Sequence, residues 1–599
     1  MDEDTPGRWQ RLKNLRVSRK DLSKRMRRAQ GVTIRHARKF VFRRWENARE
    51  VSRHIVIWVV AVGILITATG VQLMWYQQSY RMDTQASDGT YAEAVLGPVD
   101  TLNPLFASTS AEESASHLLF SRLLTYDTSG HLNNDLATNV AVSAGGTEYT
   151  VKIRSDAKWH DGTTVTAYDV LFTIGLLKNP AVRSTIPADW SSIKVSAVDD
   201  TTLSFTLPTV IAAFPHALTF PILPKHILAN VEPNAIREND FSRAPIGSGP
   251  FSLRLVQDID ATTGRKIIHL ERNDAYYKGI AKLERFQLHV YSTSDAIVHA
   301  LSSGEVNAAA DVASASTDQI NKNNYTVSNV PIASGVYALL NTVSPALKDK
   351  AVRQALQRST NLASIRAAQP AGTPTLDLPF INGQVTGDLP KVASFDPEAA
   401  KQLLDSAGWH LEGSVRKKDG TPLHITAVTT KDPQYEKTLE MIAGEWRDIG
   451  VTVDTQIYDP KDVTQAFVTD VLQKRNFDVL IRALPIGADP DVFAFWHSSQ
   501  ANNQRGSNFS NYSNAVSDDA LSSARTRLEP GLRNAKYLTF ARQWVSDVPA
   551  IGLYQSTISY VSSKNARTFN DKNALVASID RYADVLYWTV GSRSVFKTP

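Results

Sequence analysis

Apolar and polar residues alternate most clearly in residues 149–178, which read YTVKIRSDAKWHDGTTVTAYDVLFTIGLLK. In an extended segment Val151 and Ile153 would lie on the same face, and this alternation predicts a half-buried strand. The polar turn Trp159–Gly162 follows, and its glycine is the residue type that best adopts a positive φ. The apolar stretch Val170–Leu177 then predicts a helix. The segment is therefore predicted to fold as a strand, a turn and a helix.

Capping signals mark the ends of this helix. Thr166 and Asp169 stand three residues apart, which is the spacing of a capping box, and Asn179–Pro180 follows the last apolar residues. Because proline does not continue a helix, we expect the helix to stop before that pair.

The later part of the chain alternates between helical and strand periodicity. Asp396 and Pro397 supply an N-cap and a first-turn proline, and apolar residues then recur on one helix face up to Gly408. These residues are Ala399, Ala400, Leu403, Leu404 and Ala407. The segment Leu439–Ile449 repeats the pattern, and the strand-like alternation Val451–Val453 follows it directly. Helix and strand in succession predict an α/β lobe.

A long apolar segment, Ile55–Trp75, lies near the N-terminus, and Asp, Glu, Lys and Arg are absent between Arg53 and Arg81. A helix of this length would extend about 31 Å, which is enough to cross a bilayer. Trp58 and Trp75 stand near its two ends, where interfacial aromatic residues are common. The long preceding region and the full-length span predict an uncleaved transmembrane anchor rather than a signal peptide.

Positive charge is concentrated before this anchor. Residues 1–53 contain 17 Lys and Arg against 6 Asp and Glu, whereas the whole chain carries a net charge of only +5, so the remainder is acidic. The basic flank is expected to stay in the cytoplasm, which puts everything after Tyr80 outside. Either the tail only orients the anchor, or it also binds anionic lipid or nucleic acid. We adopt the first interpretation and expect no nucleic acid partner.

Length and composition exclude several classes of protein. A chain of 599 residues is too long for one core, so two or more lobes are expected. There is no cysteine, which excludes disulfides, thiolate metal sites and an N-terminal lipidated cysteine. The 13 histidines show no metal-ligand spacing. We therefore expect neither a metal nor a cofactor.

The motifs of common enzymes are missing. The sequence has no GxSxG, no HExxH and no GxxxxGK[ST], so it predicts neither hydrolase nor ATPase chemistry. His160 next to Asp161 suggests an oriented base, but adjacent residues on a tight turn usually point apart. Side-chain-to-backbone hydrogen bonds within the turn are the interpretation that we prefer. Gly247-Ser248-Gly249 resembles a phosphate cradle, but it lacks the rest of that motif, and we predict a crossing of the chain between lobes there.

Several separated motifs resemble one family. They are WHDG at 159–162 with its following helix, VLGPVDTLNPLF at 95–106, AGW at 407–409, and DVP at 547–549. Together they resemble the extracytoplasmic solute-binding proteins of peptide-type ABC importers, family 5, which include oligopeptide-, dipeptide- and nickel-binding proteins. The resemblance extends from Val95 to Tyr554.

This resemblance implies a fold and a division into domains. The fold is α/β and two-lobed, of the periplasmic-binding-protein type (type II), with an extra subdomain in the first lobe and a single transmembrane helix before it. The implied division is a basic tail (1–53), the anchor (54–76), a linker (77–90), the first lobe (91–340, with the inserted subdomain at about 113–243), the second lobe (341–550) and a return to the first lobe (551–599).

The resemblance also points to places that line the cleft in relatives. These ligand-binding candidates are Phe106, Ser108, Thr109, Tyr337, Asn341, Ser507, Asn508 and Phe509. For each of them a surface loop or core packing is the alternative. No catalytic residue is predicted.

The position that binds the peptide amine differs from the relatives. Peptide-binding members place an aspartate on a loop of the second lobe, shortly before a DPD element. Here Ile486 or a close neighbour stands at that position, followed by the DPD element at Asp489–Asp491. Asp489 and Pro490 are predicted to cap a helix at Val492–Trp496. Recognition of a free peptide amine is therefore in question.

The sequence predicts a membrane-anchored, non-enzymatic, extracytoplasmic solute-binding protein. Its expected partners are a peptide or another small solute, an ABC permease with a separate ATPase, and the lipid bilayer through Ile55–Trp75. The alternative is a ligand-binding sensor that signals through its basic cytoplasmic arm. An ectoenzyme is a third alternative. Neighbouring permease and ATPase genes would favour transport, whereas a lone gene or a signalling neighbour would favour the sensor.

Overall fold

The structure, a computed structural model, describes residues 48–85, 88–186, 190–310, 312–460, 462–501, 506–569 and 574–596. Most of the predicted basic tail lies outside the described residues. The chain divides into two compact units, one formed by residues 1–84 with 593–599 and the other by residues 85–592.

The described part of the smaller unit is dominated by one helix, Ala48–Tyr80. Within it, Ser52–Trp75 is long and apolar enough to cross a membrane, judged by length and composition. Thr67 and Thr69 donate their hydroxyl protons to backbone carbonyls one turn earlier, at 2.7 and 2.6 Å. These hydroxyls therefore need no partner outside the helix. The strand Arg81–Gln85 follows and pairs with Ser592–Phe596, so part of the predicted linker has regular structure.

A ten-stranded mixed sheet runs through the larger unit. In order across the sheet its strands are Thr452–Tyr458, His424–Thr430, Val479–Pro485, Tyr325–Leu340, Ala550–Ser563, Ala308–Ala309, Thr90–Leu96, Arg285–Tyr291, Arg265–Arg272 and Phe251–Asp260. Its helices are Ser110–Leu119, Ala167–Lys178, Lys225–Leu228, Ser294–Ser303, Lys350–Ser359, Leu362–Ala367, Pro397–Ser406, Pro433–Asp448, Phe493–Trp496, Ala515–Arg525 and Pro530–Asp547. Helices and strands pack into separate apolar cores on the two sides of the central strands, which gives two lobes.

Two long strands, Tyr325–Leu340 and Ala550–Ser563, belong to both lobes. Val330 and Ile558 from their first-lobe parts lie in one core, and Val336 and Ile551 from their second-lobe parts lie in another. The pairing between the two strands is interrupted between Pro331 and Gly335. Proline has no N–H to donate to a ladder, so the interruption falls where the sequence cannot sustain pairing. This is the place where the lobes are connected.

A separate four-stranded sheet with its own core is inserted in the first lobe. Its strands are Ala137–Val142, Glu148–Ile153, Thr202–Thr206 and Lys194–Asp199 in sheet order. Trp159 and Trp190 are buried in the core beneath it. The smaller sheets pair Leu124–Tyr126 with Leu132–Asn134, His410–Glu412 with Val415–Lys418 and Thr421–Pro422, and Ala566–Arg567 with Thr589–Val590.

The predicted strand, turn and capped helix are confirmed. The strand is Glu148–Ile153 and the helix is Ala167–Lys178. The Thr166 N–H donates to Asp169 Oδ2 at 2.8 Å, which is the reciprocal bond of the capping box. The periodic helices of the second lobe are confirmed as well, at Pro397–Ser406 and Pro433–Asp448.

His160 has a structural role in the turn. Its Nδ1 accepts a hydrogen bond from the Gly247 N–H at 3.1 Å, and its Nε2 lies 3.1 Å from the Gly249 carbonyl. Asp161 instead contacts His226, at 2.8 Å. The two neighbours therefore point to different partners, as predicted for a tight turn, and do not form a dyad.

The Gly247–Gly249 segment does not cross between lobes, so that prediction is wrong. It docks on the end of the helix Ser110–Leu119, where the Gly249 N–H donates to Leu119 O at 2.8 Å. It then leads into the strand Phe251–Asp260 of the same lobe. A Cβ on Gly247 would lie 1.9 Å from Leu119 O, so only glycine permits this close approach of two backbones.

Acid is expected to weaken the fold through His160. Burial lowers the pKa of His160 to about 4, whereas a histidine in the unfolded chain titrates near 6.5. Between these values the unfolded chain binds a proton that the folded chain does not, so stability present above about pH 6.5 is lost as the pH falls towards about 4. Urea unfolding at pH 7 and pH 5 should show this loss, and it should be smaller in His160→Gln. The exposed His131, changed to glutamine, is the control and should leave the pH dependence unaltered.

A buried ionic cluster joins distant parts of the first lobe. Glu93 and Arg581 are 0% exposed, and Glu93 Oε1 accepts from Arg581 Nη2 at 2.7 Å and Nε at 3.0 Å. Glu93 also accepts from the hydroxyls of Tyr582 and Tyr560, at 2.7 and 3.0 Å. Arg581 Nη2 further donates to Ser114 Oγ at 2.9 Å. The cluster thus satisfies both charges with hydrogen bonds.

Candidate functional site

The two lobes face each other across a cleft beside the connecting strands. On the first-lobe side lies a cavity of about 330 Å³. Its lining residues are Pro104, Ala107, Glu113, Ser116, Arg122, Thr185, Ile186, His216, Ala217, Thr219, Phe220, Pro221 and Ile579. Loops before and after the helix Ser110–Leu119, the inserted subdomain and the C-terminal return therefore converge on one cavity.

The second-lobe loop that follows the strand Val479–Pro485 faces this cavity, since its Asp489 lies 3.9 Å from the lining residue His216. Gly487 fixes this loop against a connecting strand, since its N–H donates to Ala333 O at 2.9 Å. Gln384 Nε2 donates to Gly487 O at 2.7 Å from the other side. Gly487 has a φ of +85°, which glycine adopts without strain. The loop is thus held in place by backbone contacts on both sides.

The lobes touch at a few points in this structure. The Ala212 N–H of the inserted subdomain donates to Arg525 O of the second lobe at 2.9 Å. His216 Nε2 lies 3.9 Å from Asp489 Oδ2 across the cleft. His216 also packs on Tyr126, with Nδ1 2.9 Å from the tyrosine hydroxyl, and burial lowers its pKa. The inserted subdomain and the second lobe are therefore in direct contact.

Both acids of the DPD element are paired with arginines. Arg533 binds Asp489 through two parallel contacts of 2.6 and 2.5 Å, and both side chains are 14% exposed. Arg525 lies 3.0 Å from Asp491, whose pKa is raised by burial. Neither carboxylate is therefore available as an unpaired anion.

The predicted capping role of Asp489 and Pro490 is wrong. The helix is Phe493–Trp496, with Val492 as its N-cap, and it therefore begins after the DPD element. The Asp489 carboxylate accepts from the Asp491 N–H at 2.9 Å and otherwise binds Arg533. A long-range ion pair thus replaces the expected local cap.

The predicted loop at 106–109 borders the cavity mainly through Ala107. Phe106 is buried in the first-lobe core. Ser108 is exposed, and both its N–H and its hydroxyl donate to Glu112 Oε2. Thr109 caps the helix Ser110–Leu119 through a complete capping box. These residues shape the loop beside the cavity, and their contact with a ligand stays a prediction.

The other predicted residues lie within the second lobe and not around the cavity. Tyr337 is buried, with its hydroxyl donating to Leu378 O at 2.9 Å, and Asn341 Nδ2 donates to Phe477 O at 3.0 Å. Asn508 is also buried, and its side chain bonds to backbone groups of His497 and Tyr512. The structure therefore gives these side chains partners in the fold, and ligand contact stays a prediction for them.

Ser507 and Phe509 flank Asn508. Ser507 accepts from the Phe509 N–H through its carbonyl, at 2.9 Å. The guanidinium carbons of Arg475 and Arg482 lie 4.6 and 5.3 Å from the centre of the Phe509 ring. For these two residues as well, a role in ligand binding stays a prediction.

Sequence reasoning missed Arg122 and His216. Arg122 stands inside the apolar run Leu118–Leu124, and a charge in such a run is a signal of a buried polar function. Nothing in the sequence around His216 indicates that it faces Asp489, because 273 positions separate the two residues. Among the residues that the structure describes, no group of three His, Cys, Asp or Glu is arranged to hold a metal ion.

Comparison with known proteins agrees with this architecture. Residues 131–506 match the model of the bacterial extracellular solute-binding proteins, family 5. The oligopeptide-binding protein AppA of Bacillus subtilis is 28% identical over 474 residues, which is 77% of this chain and 84% of that protein. The probable D,D-dipeptide-binding periplasmic protein DdpA of Escherichia coli is 24% identical, covering 78% and 89%.

Solved structures share the fold over nearly their whole length. NikZ from Campylobacter jejuni, in complex with Ni(L-His), has a TM-score of 0.70 at 25% identity, covering 84% of this chain and 99% of that one. AppA from Bacillus subtilis, in complex with a nonapeptide, has a TM-score of 0.69 at 24% identity, covering 85% and 100%. The predicted two-lobed fold and the predicted family are confirmed. The family consists of binding proteins rather than enzymes, and the chain belongs to it: it is a bacterial extracellular solute-binding protein of family 5.

Proposed function

We propose that this protein captures a peptide or a similar extended solute by closing its lobes, and delivers it to the permease of an ABC importer. The observation that carries this proposal is the first-lobe cavity of about 330 Å³, whose lining residue His216 faces Asp489 of the second lobe. Relatives named as oligopeptide- and dipeptide-binding proteins support a peptide-like solute. The sequence contains no GxxxxGK[ST] motif, so the energy for transport comes from a separate ATPase.

Individually weak polar contacts between the lobes make lobe closure sensitive to ligand. Across the cleft the Ala212 hydrogen bond is short, but the His216–Asp489 contact is long at 3.9 Å. Contacts of this kind contribute only about 0.5–1.5 kcal/mol each. A solute that binds both lobes adds contacts that exist only in the closed form. This difference in binding free energy shifts the equilibrium between the open and closed forms towards the closed form.

The test is to identify what co-purifies with the protein and to follow the lobes when it is added back. Mass spectrometry of material released from the purified protein should find peptides or similar solutes. Fluorescence transfer between labels on the two lobes should then show a shorter distance at saturation. An unchanged distance with bound solute would remove the closing mechanism, and the absence of peptide-like material would remove the solute class.

We further propose that Ile55–Trp75 anchors the protein in the cell membrane as a single span, with the N-terminus in the cytoplasm and the lobes outside. The apolar helix and the basic segment before it support this topology. The full-length protein is expected to stay in the membrane fraction after a carbonate wash. Release of a species that begins near Ser79 and lacks the tail would show that the segment is cleaved.

A free peptide amine is expected to add little to binding. A buried ammonium needs a carboxylate partner, but Ile486 or a close neighbour replaces the aspartate of the relatives, and Asp489 and Asp491 are paired with Arg533 and Arg525. A peptide and its N-acetylated form should therefore bind with about equal affinity, and Asp491→Asn should leave their ratio unchanged. Calorimetric titration measures both. A free peptide that binds at least about tenfold tighter, or about 1.4 kcal/mol, would reveal an amine anchor.

A further inference from the structure

The cavity on the first-lobe wall contains a buried cation. Arg122 is only 8% exposed and lines this cavity. Its backbone N–H donates to Asp135 Oδ2 at 2.9 Å. Its guanidinium, in contrast, makes neither a hydrogen bond nor an ion pair within 4 Å with any residue in the described part of the chain. Since arginine does not lose its proton, the fold keeps an unmatched charge there.

The two acids with the largest electrostatic effect on Arg122 already have other hydrogen-bond partners. Asp135 accepts from the Tyr277 hydroxyl at 2.7 Å and forms an ion pair with Lys278 at 2.6 Å. Asp580 accepts from the Ala577 N–H at 2.7 Å. Both acids act on Arg122 through space, but burial dominates and lowers the pKa of Arg122. Neither of them supplies the hydrogen-bonded partner that a buried guanidinium normally has.

The residues around the cavity do not supply that partner either. Asp489, on the facing wall, is held by Arg533 in a two-point contact. His216 is held by Tyr126. Glu113, the acid among the lining residues, is exposed and has an interaction of its own. The site therefore combines a buried donor group, an open volume and no matching acceptor among the described residues.

We propose that Arg122 anchors an anionic group of the solute, namely a carboxylate. The planar guanidinium offers two parallel N–H donors to such a group, and the hydroxyl of Ser116 lines the same cavity. This inference rests on the proposed function and narrows its substrate class. The solute is selected by a free carboxylate that enters the first lobe, and not by an amine bound to the second.

The test presents one peptide mixture in two forms to the full-length protein in detergent. A tryptic digest of casein is used as prepared and after methyl esterification of its carboxyl groups, and retained peptides are quantified by mass spectrometry. The wild type is expected to retain the free digest at least tenfold more than the ester. Arg122→Met should retain the free digest at least tenfold less than the wild type, and the decrease in Arg122→Lys should be smaller. Arg243→Met, which changes an arginine whose side chain is 78% exposed, is the control and should behave as the wild type.

The outcomes separate this inference from the proposed function. Equal retention of both forms, or equal retention by Arg122→Met and the wild type, overturns the carboxylate anchor and leaves peptide binding standing. Retention of neither form overturns peptide binding. In that case acetate tests the carboxylate anchor. At constant ionic strength, acetate should raise the thermal unfolding midpoint of the wild type but not that of Arg122→Met. Equal shifts of the midpoint in the two proteins overturn the carboxylate anchor.

Stability of the empty protein distinguishes an anchor from a structural residue. Removal of an unmatched buried charge is expected to leave Arg122→Met at least as stable as the wild type when no solute is present. A thermal midpoint that falls in the empty variant would mean that Arg122 holds the fold through Asp135 and Asp580, and would overturn the anchor.

Discussion

Replacing Glu93 by leucine is expected to destabilise the chain from Asp88 onward by about 3–5 kcal/mol. The substitution leaves the Arg581 guanidinium buried without its carboxylate, and the hydroxyls of Tyr582 and Tyr560 also lose an acceptor. All of these groups are buried in the first lobe, so water cannot replace the carboxylate. Urea unfolding followed by tryptophan fluorescence measures the change.

A second substitution separates the charge effect from packing. In Glu93→Leu with Arg581→Met no buried charge is left, so the double variant is expected to be more stable than Glu93→Leu alone. The matched control is the exposed pair of Glu398 and Lys401, whose side chains are 77% and 38% exposed. Glu398→Gln should change the unfolding free energy by less than about 0.5 kcal/mol. If Glu93→Leu lowered the unfolding free energy by no more than Glu398→Gln does, the residues of the buried cluster would not depend on one another for stability.

Gly247→Ala is expected to cost about 3 kcal/mol or more, beyond the usual range for overpacking. The new Cβ would lie 1.9 Å from Leu119 O, and this oxygen belongs to the backbone and cannot rotate away. Relief of the clash would pull apart the Gly249–Leu119 hydrogen bond and the contact with His160. Unfolding in urea tests the expectation, and an unfolding free energy within about 0.5 kcal/mol of the wild type would contradict the close approach.

Gly175→Ala serves as the matched control for this substitution. Gly175 lies in the middle of the helix Ala167–Lys178, is exposed, and has no atom within 4 Å of an added Cβ. Alanine is the better helix former there, so the variant should gain about 0.5–1 kcal/mol. The same chemical change is thus expected to have opposite signs at the two glycines.

Local signals were sufficient for the elements that depend on their own sequence. The turn at Trp159–Gly162 and the capping box of Thr166 and Asp169 need only residues within a few positions, and both were predicted. The helix at Pro397–Ser406 was likewise predicted, from its cap and its apolar face. The family resemblance supplied the two-lobed arrangement, which no local periodicity determines.

Residues around the cleft were harder to predict because their partners are distant in sequence. Asp489 looked like the start of a helix, yet Arg533 engages it from 44 positions away. Asn341 and Asn508 were predicted to contact ligand; in the structure both also satisfy buried backbone groups, and ligand contact stays a prediction for them. A polar residue beside a cleft and one that supports the wall behind it have the same local sequence signal, and only tertiary packing separates them.

The buried pair of Glu93 and Arg581 has a consequence for biogenesis. The two residues are 488 positions apart, so Glu93 is synthesised long before its partner. The strand Ala550–Ser563, which is central to both lobes, also emerges late. Neither lobe can complete its core until this last part of the chain is available, because both cores contain residues of that strand. Until then the first lobe stays incomplete, in a state that exposes apolar surface to chaperones and proteases.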